Sequence, residues 1–568
     1  MRRIAVYLCR CFGEIDQIID LNDIRVRLAG NSRVRSSAVV DSLCCADTIK
    51  QTALQIGKTD ADQVLIAACS LISRGNRVIR TLEEEGIRSS SIHLVDIREG
   101  CAWIHGDDAA GATEKAYRLV DMGLALLEHK RPSDNVVVTV RREALIIGAG
   151  PAGMAAAVSL AERDIHVHLI ERGSEPGGMP MLFSRVYPGN EDPSIKLKPY
   201  REAIETNRNI AFYPRSKLVS VVGYVGDFKV CFVSNKNEYH IRPGVIIAAT
   251  GARVFLPDGL YRYGELKNVI TQMELETRFK KGTAETDNTV FIQCVGARCA
   301  ERPYCSTICC PSAIKNALRI SERNEDAHVV VLHRDVMTPG STLENYYRTA
   351  MERGIRFIRF TEDTPPVIIG EDRVEAVDVY DVVTGLTRRI NADLAVLSTP
   401  LIPGMDSHHL ADMLGIQVDR YGFFREMYPM HPVETRMDGV FICGSARWPV
   451  SSDQAVMQGE AAAIKALAVL RSGKISASSF SPVPGGKFGH PNVNADSCTG
   501  CGNCMAVCPF DAIRLQRIDG KYFCISRVNK MRCKACGNCV SVCPNGTMQM
   551  PEHNYLSVCG MIERAFGQ

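Results

Sequence analysis

No stretch of this chain approaches 18 uninterrupted apolar residues, so no helix is expected to cross a membrane. Charge of one sign is equally absent. The 67 basic and 64 acidic residues leave a net charge of +3, which points to neither a nucleic acid nor a membrane surface. The run Met1–Arg10 holds too few apolar residues for a secretory signal and reads as a first β-strand. Low-complexity tracts are missing, and the only internal repeat is a pair of cysteine runs near the C-terminus. What remains is ordinary soluble composition, 46% hydrophobic and 23% charged, over 568 residues, enough for three or four domains with cores of their own. Cysteine is the exception. There are 23, gathered at metal-ligand spacings, which suits a reducing cytoplasm and not a disulfide framework.

The repeat reads Cys498-x2-Cys501-x2-Cys504-x3-Cys508-Pro509, then Cys533-x2-Cys536-x2-Cys539-x3-Cys543-Pro544. Two such runs are the signature of a bacterial-type ferredoxin with two 4Fe–4S clusters, in which the fourth cysteine of each run serves the other cluster. That rule predicts one cluster on Cys498, Cys501, Cys504 and Cys543, and a second on Cys533, Cys536, Cys539 and Cys508. Gly500, Gly502 and Gly537 let the loops turn tightly. The competing reading is structural zinc, which needs four thiolates per ion and has no use for this triple-plus-one spacing.

Upstream, Glu143–Ile147 reads as a buried strand, followed by Gly148-Ala149-Gly150-Pro151-Ala152-Gly153, a helix over 154–163 and a strand over 165–170 ending at Glu171. This is G-x-G-x-x-G in its strand–turn–helix–strand context, with an acid 18 residues beyond the last glycine. The glycines admit a pyrophosphate to the helix N-terminus, and Glu171 can accept from a ribose hydroxyl. Val245-Ile246-Ile247-Ala248-Ala249-Thr250-Gly251 resembles the Ala-Thr-Gly turn of flavoproteins with two dinucleotide domains. Gly439–Ala446, with a helix over 454–470, resembles their C-terminal FAD segment. The FAD-contacting set implied is Gly148, Gly150, Pro151, Ala152, Gly153, Glu171, Arg172, Gly178, Thr250, Gly251, Gly444 and Ser445. Those flavoproteins usually carry Gly-Asp where this chain has Gly444-Ser445. A Rossmann domain without a nucleotide is the alternative.

Relatives of thioredoxin reductase insert a second dinucleotide domain for NAD(P)H. Its strand here is Thr289–Gly296, its helix 312–322 and its next strand 328–333. The glycine loop is gone, and Cys294, Cys299, Cys305, Cys309 and Cys310 stand in its place. Thiolates would clash with and repel a pyrophosphate, but at a helix N-terminus they suit a cluster of net negative charge. The best candidates for a third cluster are Cys294, Cys305, Cys309 and Cys310. A redox-active disulfide or free thiols are the alternative. Lys315, nearly a turn and a half beyond Cys310 on the same helix, is placed to reach the flavin and tune it. A solvated surface lysine is the competing reading.

The segments Phe291–Gly296, Tyr304-Cys305-Ser306 and Cys309-Cys310 with Ala313–Leu318 resemble the A subunit of heterodisulfide reductase, over nearly the whole chain. Methanogen members carry an extra ferredoxin domain inserted in the FAD module. Here Gly177-Gly178 runs to Tyr187-Pro188 without room for one. Residues 1–140 alternate strands (4–8, 64–68, 92–97) with helices, including a long one over 112–130, and resemble the family's N-terminal domain through Leu8–Cys11, Ala67–Ser70 and Ile97–His105. A fourth cluster is expected on Cys9, Cys11, Cys69 and one of Cys44 or Cys45, with buried core cysteines as the alternative. His105 and Trp103 read as packing residues.

The fold class expected is α/β: two Rossmann-like, thioredoxin-reductase-like domains, preceded by an α/β iron–sulfur domain and followed by a small α+β ferredoxin domain. The expected boundaries are 1–140, then 141–260 with 395–472 for FAD, 261–394 for the second Rossmann-like domain, a linker from Arg471 to Gly486, and 485–552 for the ferredoxin. The resemblance implies an oxidoreductase carrying FAD and up to four 4Fe–4S clusters, electron-bifurcating or its reverse. It also implies partners: a disulfide-reducing subunit, a small iron–sulfur subunit, a hydrogenase or formate dehydrogenase module, ferredoxin, and a second copy of the chain. Two rivals are a stand-alone ferredoxin–NAD(P)H oxidoreductase, which wants a second glycine loop, and a non-catalytic electron relay.

Overall fold

The computed structural model describes residues 3–130, 136–283, 287–476, 489–517, 524–551 and 554–566. They fall into two compact units, Met1–Val137 with Ser476–Gln568, and Val138–Ile475.

The first unit opens with a parallel sheet in the order Val34–Val40, Ile4–Cys9, Gln63–Ala68, Ile92–Asp96. Ile4–Cys9 is buried at every position, as befits a central parallel strand covered on both faces. The half-exposed edge strand Val34–Val40, carrying Arg35, Ser36 and Ser37, has no clean alternation and was not legible in the sequence. Strand order reverses between Ile4–Cys9 and Gln63–Ala68, which opens a crevice at their C-terminal ends. The C-terminal part of this unit pairs Ile513–Arg517 with Cys524–Val528 and Asn492–Val493 with Met548–Gln549, and carries the short helices Asn503–Ala506 and Asn538–Ser541. Beyond the expected ferredoxin boundary at 552, the helix Tyr555–Phe566 packs on the helix Ala109–His129. There Asn554 Nδ2 donates to the His129 carbonyl at 2.9 Å and Arg564 meets Asp121 at 3.5 Å.

The second unit holds two parallel sheets. One runs Val440–Ile442, Val245–Ala248, Glu143–Ile147, His166–Ile170, Ile210–Tyr213, with an antiparallel layer of Ser216–Tyr224, Asp227–Ser234 and Asn237–Ile241 beside it in the chain. The helices Pro151–Ala161 and Ser452–Arg471 pack closely, because Gly459 lies against the Ala152 carbonyl where a Cβ would come within 2.1 Å. The other sheet runs Val269–Thr271, Leu394–Leu397, Asn288–Ile292, His328–His333, Arg356–Arg359.

The boundary expected at 394/395 therefore cuts a strand of the second sheet. The crossing back to the first sheet comes later, through Leu401–Pro403, which pairs antiparallel with the outgoing Ala252–Val254. The expected linker lies outside the described residues from 477 to its end. The chain enters and leaves this unit through the paired strands Val137–Thr139 and Lys474–Ser476. Among the described residues, no helix is long and apolar enough to cross a membrane.

Candidate functional site

The first strand of the FAD-type sheet delivers the chain into a turn where Gly148 has φ +103°, and the helix begins at Pro151, three residues before the sequence pattern placed it. Gly153 has no room for a side chain: a Cβ would sit 1.8 Å from the Gly148 carbonyl. The turn opens onto a cavity of about 390 Å³ lined by Gly148, Gly150, Pro151, Ala152, Glu171, Arg172, Gly178, Thr250, Gly251, Gly444 and Ser445. Of the expected FAD set only Gly153 lies behind this wall, as the spacer between helix and turn. The Glu171 carboxylate accepts from the Ala149 and Gly173 N–H groups at 2.7 Å each, which fixes it at the cavity rim with lone pairs to spare. Opposite, Ser451 caps the helix Ser452–Arg471 in a capping box with Gln454, so a second helix N-terminus faces the cavity through Ser451, Ser452 and Ala455. These residues were missed, although Ser451-x-x-Gln454 is visible in the sequence. Two glycine-backed helix ends around one elongated cavity fit a dinucleotide, and the absent acid after Gly444 does not close it.

Lys315 lines the same cavity. It is 3% exposed, which sets aside the solvated-surface reading. Its ammonium pairs with Glu276 and donates to the Arg185 carbonyl at 2.8 Å. Glu276 also accepts from the Ser184 N–H at 2.8 Å and from the Ser184 hydroxyl at 2.5 Å. Burial holds the Lys315 amine below its ordinary range, and Glu276 opposes that. The field Lys315 presents is therefore that of an ion pair and not of a bare cation.

Behind this wall, Cys294, Cys305, Cys309 and Cys310 line a second, smaller cavity together with Arg298, Ser306 and Asp335. Cys309 lines both cavities. The helix begins at Cys309 rather than 312, so Cys309 and Cys310 form its first turn, and Cys294 reaches in from a left-handed turn, φ +61°. Burial and the neighbouring cysteines push the Cys309 thiol well up and that of Cys310 to about 12. Burial raises the Cys294 thiol as well, and with Cys305 beside them these sulfurs crowd one helix N-terminus, which is the donor set of a cluster. Cys299 lies outside the cavity lining.

In the C-terminal domain, Cys498, Cys501, Cys504 and Cys543 surround one cavity. Cys508, Cys533, Cys536 and Cys539 surround another. The Ser526 hydroxyl lies 3.0 Å from Cys504 Sγ and the Thr547 hydroxyl 3.2 Å from Cys543 Sγ, both at the first cavity. At the second, burial lifts Cys533 to about 11 and Cys539 to about 12. Donors to sulfur favour the reduced cluster, so Ser526→Ala is expected to lower the potential of the first cluster alone. The shift is on the order of 20–60 mV, one hydrogen bond spread over a one-electron couple. Redox titration followed by electron paramagnetic resonance reads it, and an equal shift in both clusters would remove Ser526 as a local donor.

At the N-terminal crevice, Cys9 ends the first strand with Cys11 two residues beyond, and Cys69 follows the strand Gln63–Ala68. Burial raises the Cys9 thiol to about 11, with the charges of Cys11 and Cys69 adding to it. Cys44 stands within electrostatic reach of Cys11, whereas Cys45 is the N-cap of the helix Ala46–Lys58, so Cys44 is the better fourth member. Arg98, largely buried, donates to Cys11 Sγ at 3.1 Å and to Glu99 at 2.8 Å. Trp103 is not a core residue: it is 58% exposed, with the Arg98 guanidinium 4.6 Å over its ring. His105 bonds Lys115 at 3.0 Å. Cys101, which donates to the Ala112 carbonyl at 3.2 Å, is a core thiol.

All 23 cysteines are free thiols. Among the described residues, the sulfurs of these four cysteine groups nowhere come together in threes within 4.8 Å.

Residues 142–462 match the pyridine nucleotide-disulphide oxidoreductase family and residues 490–544 a 4Fe-4S dicluster domain. Relatives over most of the chain include one of the CoB–CoM heterodisulfide reductase iron-sulfur A subunits of Methanopyrus kandleri, 29% identical over 91% of this chain and 92% of that one. Another is the A subunit of the H(2):CoB-CoM heterodisulfide,ferredoxin reductase of Methanothermobacter marburgensis, 27% identical over 90% and 91%. The alignment with the Methanopyrus protein spans 620 positions, so that relative carries roughly a hundred residues that this chain lacks. Lactococcus lactis thioredoxin reductase superposes on 58% of this chain and all of its own, at 23% identity and TM-score 0.42. The chain resembles heterodisulfide reductase A subunits over nine-tenths of its length, and it belongs to the pyridine nucleotide-disulphide oxidoreductase family as an oxidoreductase that holds FAD and iron–sulfur clusters.

Proposed function

We propose that this chain is the FAD- and iron–sulfur-bearing electron-transfer component of a heterodisulfide-reductase-type complex in the cytoplasm. Its partners would be a disulfide-reducing subunit, a small iron–sulfur subunit, a hydrogenase or formate dehydrogenase module and ferredoxin, with a second copy of the chain in the assembly. The observation that carries the reading is Cys309, which lines the flavin cavity on one side and the four-thiol cavity on the other. As a cluster ligand it would put iron within one side chain of the flavin wall. Bound flavin supplies both one- and two-electron chemistry, which clusters alone do not.

The chain's own residues set the terms. The two helix N-termini and Glu171 would hold the phosphate and ribose parts of the bound nucleotide, and the Lys315–Glu276 pair sets a charge pair of fixed direction in the cavity wall. Cys305, Cys309 and Cys310 occupy the turn where an NAD(P)H pyrophosphate would lie, and between Gly296 and Ser312 there is no glycine to cradle one. Electrons then enter and leave through clusters, which is the setting that bifurcation or its reverse requires.

NADH and NADPH are accordingly expected not to reduce the flavin of the isolated protein at a catalytic rate, while a low-potential one-electron donor does. Anaerobic stopped-flow at the flavin absorbance distinguishes them. Rapid, saturable bleaching by either nucleotide would replace this reading with the stand-alone oxidoreductase. Flavin that no donor reduces would leave a passive relay.

A further inference from the structure

The three-stranded antiparallel layer Ser216–Tyr224, Asp227–Ser234, Asn237–Ile241 carries a cysteine where its packing does not call for one. Phe228, Val230 and Phe232 are buried and face the core, so Cys231, between Val230 and Phe232, points to the opposite face. Its directly paired neighbour across the hairpin is His240, and Glu238 lies two residues along from His240 on that same face. The Cys231 thiol lies 3.2 Å from Glu238 Oε1, and the same carboxylate oxygen lies 3.0 Å from His240 Nε2. All three donor atoms fall within 4.8 Å of one another, a convergence that no other His, Cys, Asp or Glu trio reaches among the described residues. Cys231 is only partly covered, and the imidazole and carboxylate side chains, 74% and 60% exposed, are open to solvent.

We propose that Cys231, Glu238 and His240 form a mononuclear binding site for zinc, separate from every cluster and from the flavin. The donor set is one sulfur, one nitrogen and one oxygen, which a borderline-soft divalent ion takes and hard magnesium or calcium does not. A tetrahedral zinc with bonds of about 2.0–2.3 Å sets its donors about 3.3–3.8 Å apart, so the trio needs little adjustment to close on an ion. The strand pairing holds two of the donors opposite each other before any metal arrives, which lowers the ordering cost of binding. On binding, the Cys231 thiol gives its proton to solvent and the imidazole stays neutral. Glu238, which in the free site accepts from the thiol, becomes the third ligand. Three protein donors leave one position for water, so the ion would pin the Asp227–Ser234 and Asn237–Ile241 strands together at the surface while staying exchangeable.

The test reads Cys231 alone, because the chain has many other thiols. Anaerobic holoprotein is treated with a chelator, then with N-ethylmaleimide in the presence or absence of micromolar zinc, and the modified peptides are quantified by mass spectrometry. Zinc is expected to slow alkylation of Cys231 at least about tenfold. His240→Ala and Glu238→Ala are each expected to abolish that protection, with FAD and iron content unchanged. Equal alkylation rates with and without zinc in the wild-type protein would overturn the proposal. So would protection that survives both substitutions, since it would place the metal on other donors.

Discussion

Cys310→Ala is expected to remove about four of roughly sixteen irons while the flavin and the other clusters stay. Cys310 is buried in the first turn of its helix, in a cavity that it shares with three other thiols and no fifth cysteine, so no other sulfur there can replace it as a ligand. Its loss leaves Cys294, Cys305 and Cys309 as three thiolates for a cluster that takes four. Cys69→Ala is expected to remove a separate four, because Cys69 lies on the N-terminal sheet and belongs to the other compact unit. Anaerobic iron and labile-sulfide analysis with flavin quantitation decides both. About eight irons in the wild-type protein, unchanged by either substitution, would confine the clusters to the C-terminal dicluster domain. Zinc well beyond one equivalent, in place of the missing iron, would return the cluster cysteines to a structural role.

The Lys315–Glu276 pair should give the largest stability effect. Both side chains are 3% exposed, and each is the other's charge partner inside the flavin wall. Removing one member strands the other, a change that commonly costs about 3–5 kcal/mol. Lys315→Met or Glu276→Leu alone should therefore lower the unfolding temperature of the flavin module sharply, and the double variant should recover most of the loss. The potentials should separate the partners further. Lys315→Gln is expected to lower the flavin potential and Glu276→Gln to raise it. Both shifts are on the order of tens of millivolts for a unit charge at the cavity wall in an effective dielectric of about 20. Since Lys315 is held below its ordinary range by burial, its protonated form is the costly one. That cost is full below the folded-state pKa and relieved as pH rises towards the free-lysine value, so the wild-type module should gain stability on mild alkalinisation and Lys315→Met should not. Flavin-release melting curves across that range check it. Shifts of the same sign in both single variants would end the ion-pair account.

Local chemistry was legible in the sequence wherever it was contiguous. The ferredoxin cysteines, the G-x-G-x-x-G turn and the Cys305-to-Cys310 run each sit on one short segment, so their residues could be picked out together from spacing and context. What the sequence withheld was convergence. Glu276 is 39 residues from Lys315 and Ser184 is 92 from Glu276, and no periodicity joins them. The choice between adjacent Cys44 and Cys45 depends on which one caps a helix, a matter of one residue of register. Trp103 reads in the sequence as a packing residue, and what it packs against is the Arg98 guanidinium over its exposed face, a partner that spacing does not show. The boundary expected at 394/395 falls inside Leu394–Leu397, a fully buried apolar strand whose run would suit either parallel sheet equally.

One topological feature bears on how this molecule assembles. The Val138–Ile475 unit is an insertion: the polypeptide on either side of it belongs to a single body whose two parts are separated by about 338 residues. Closing so long an unstructured loop costs about 5 kcal/mol of chain entropy, beyond the constant for any closure. Once the insert has folded, its first and last strands, Val137–Thr139 and Lys474–Ser476, lie hydrogen-bonded side by side, and the loop between the flanking parts is reduced to a hairpin's width. The flavin module thus acts as an entropic clasp. By folding it takes about 338 residues out of the loop that separates the two parts of the other unit, which lowers the chain-entropy cost of joining them.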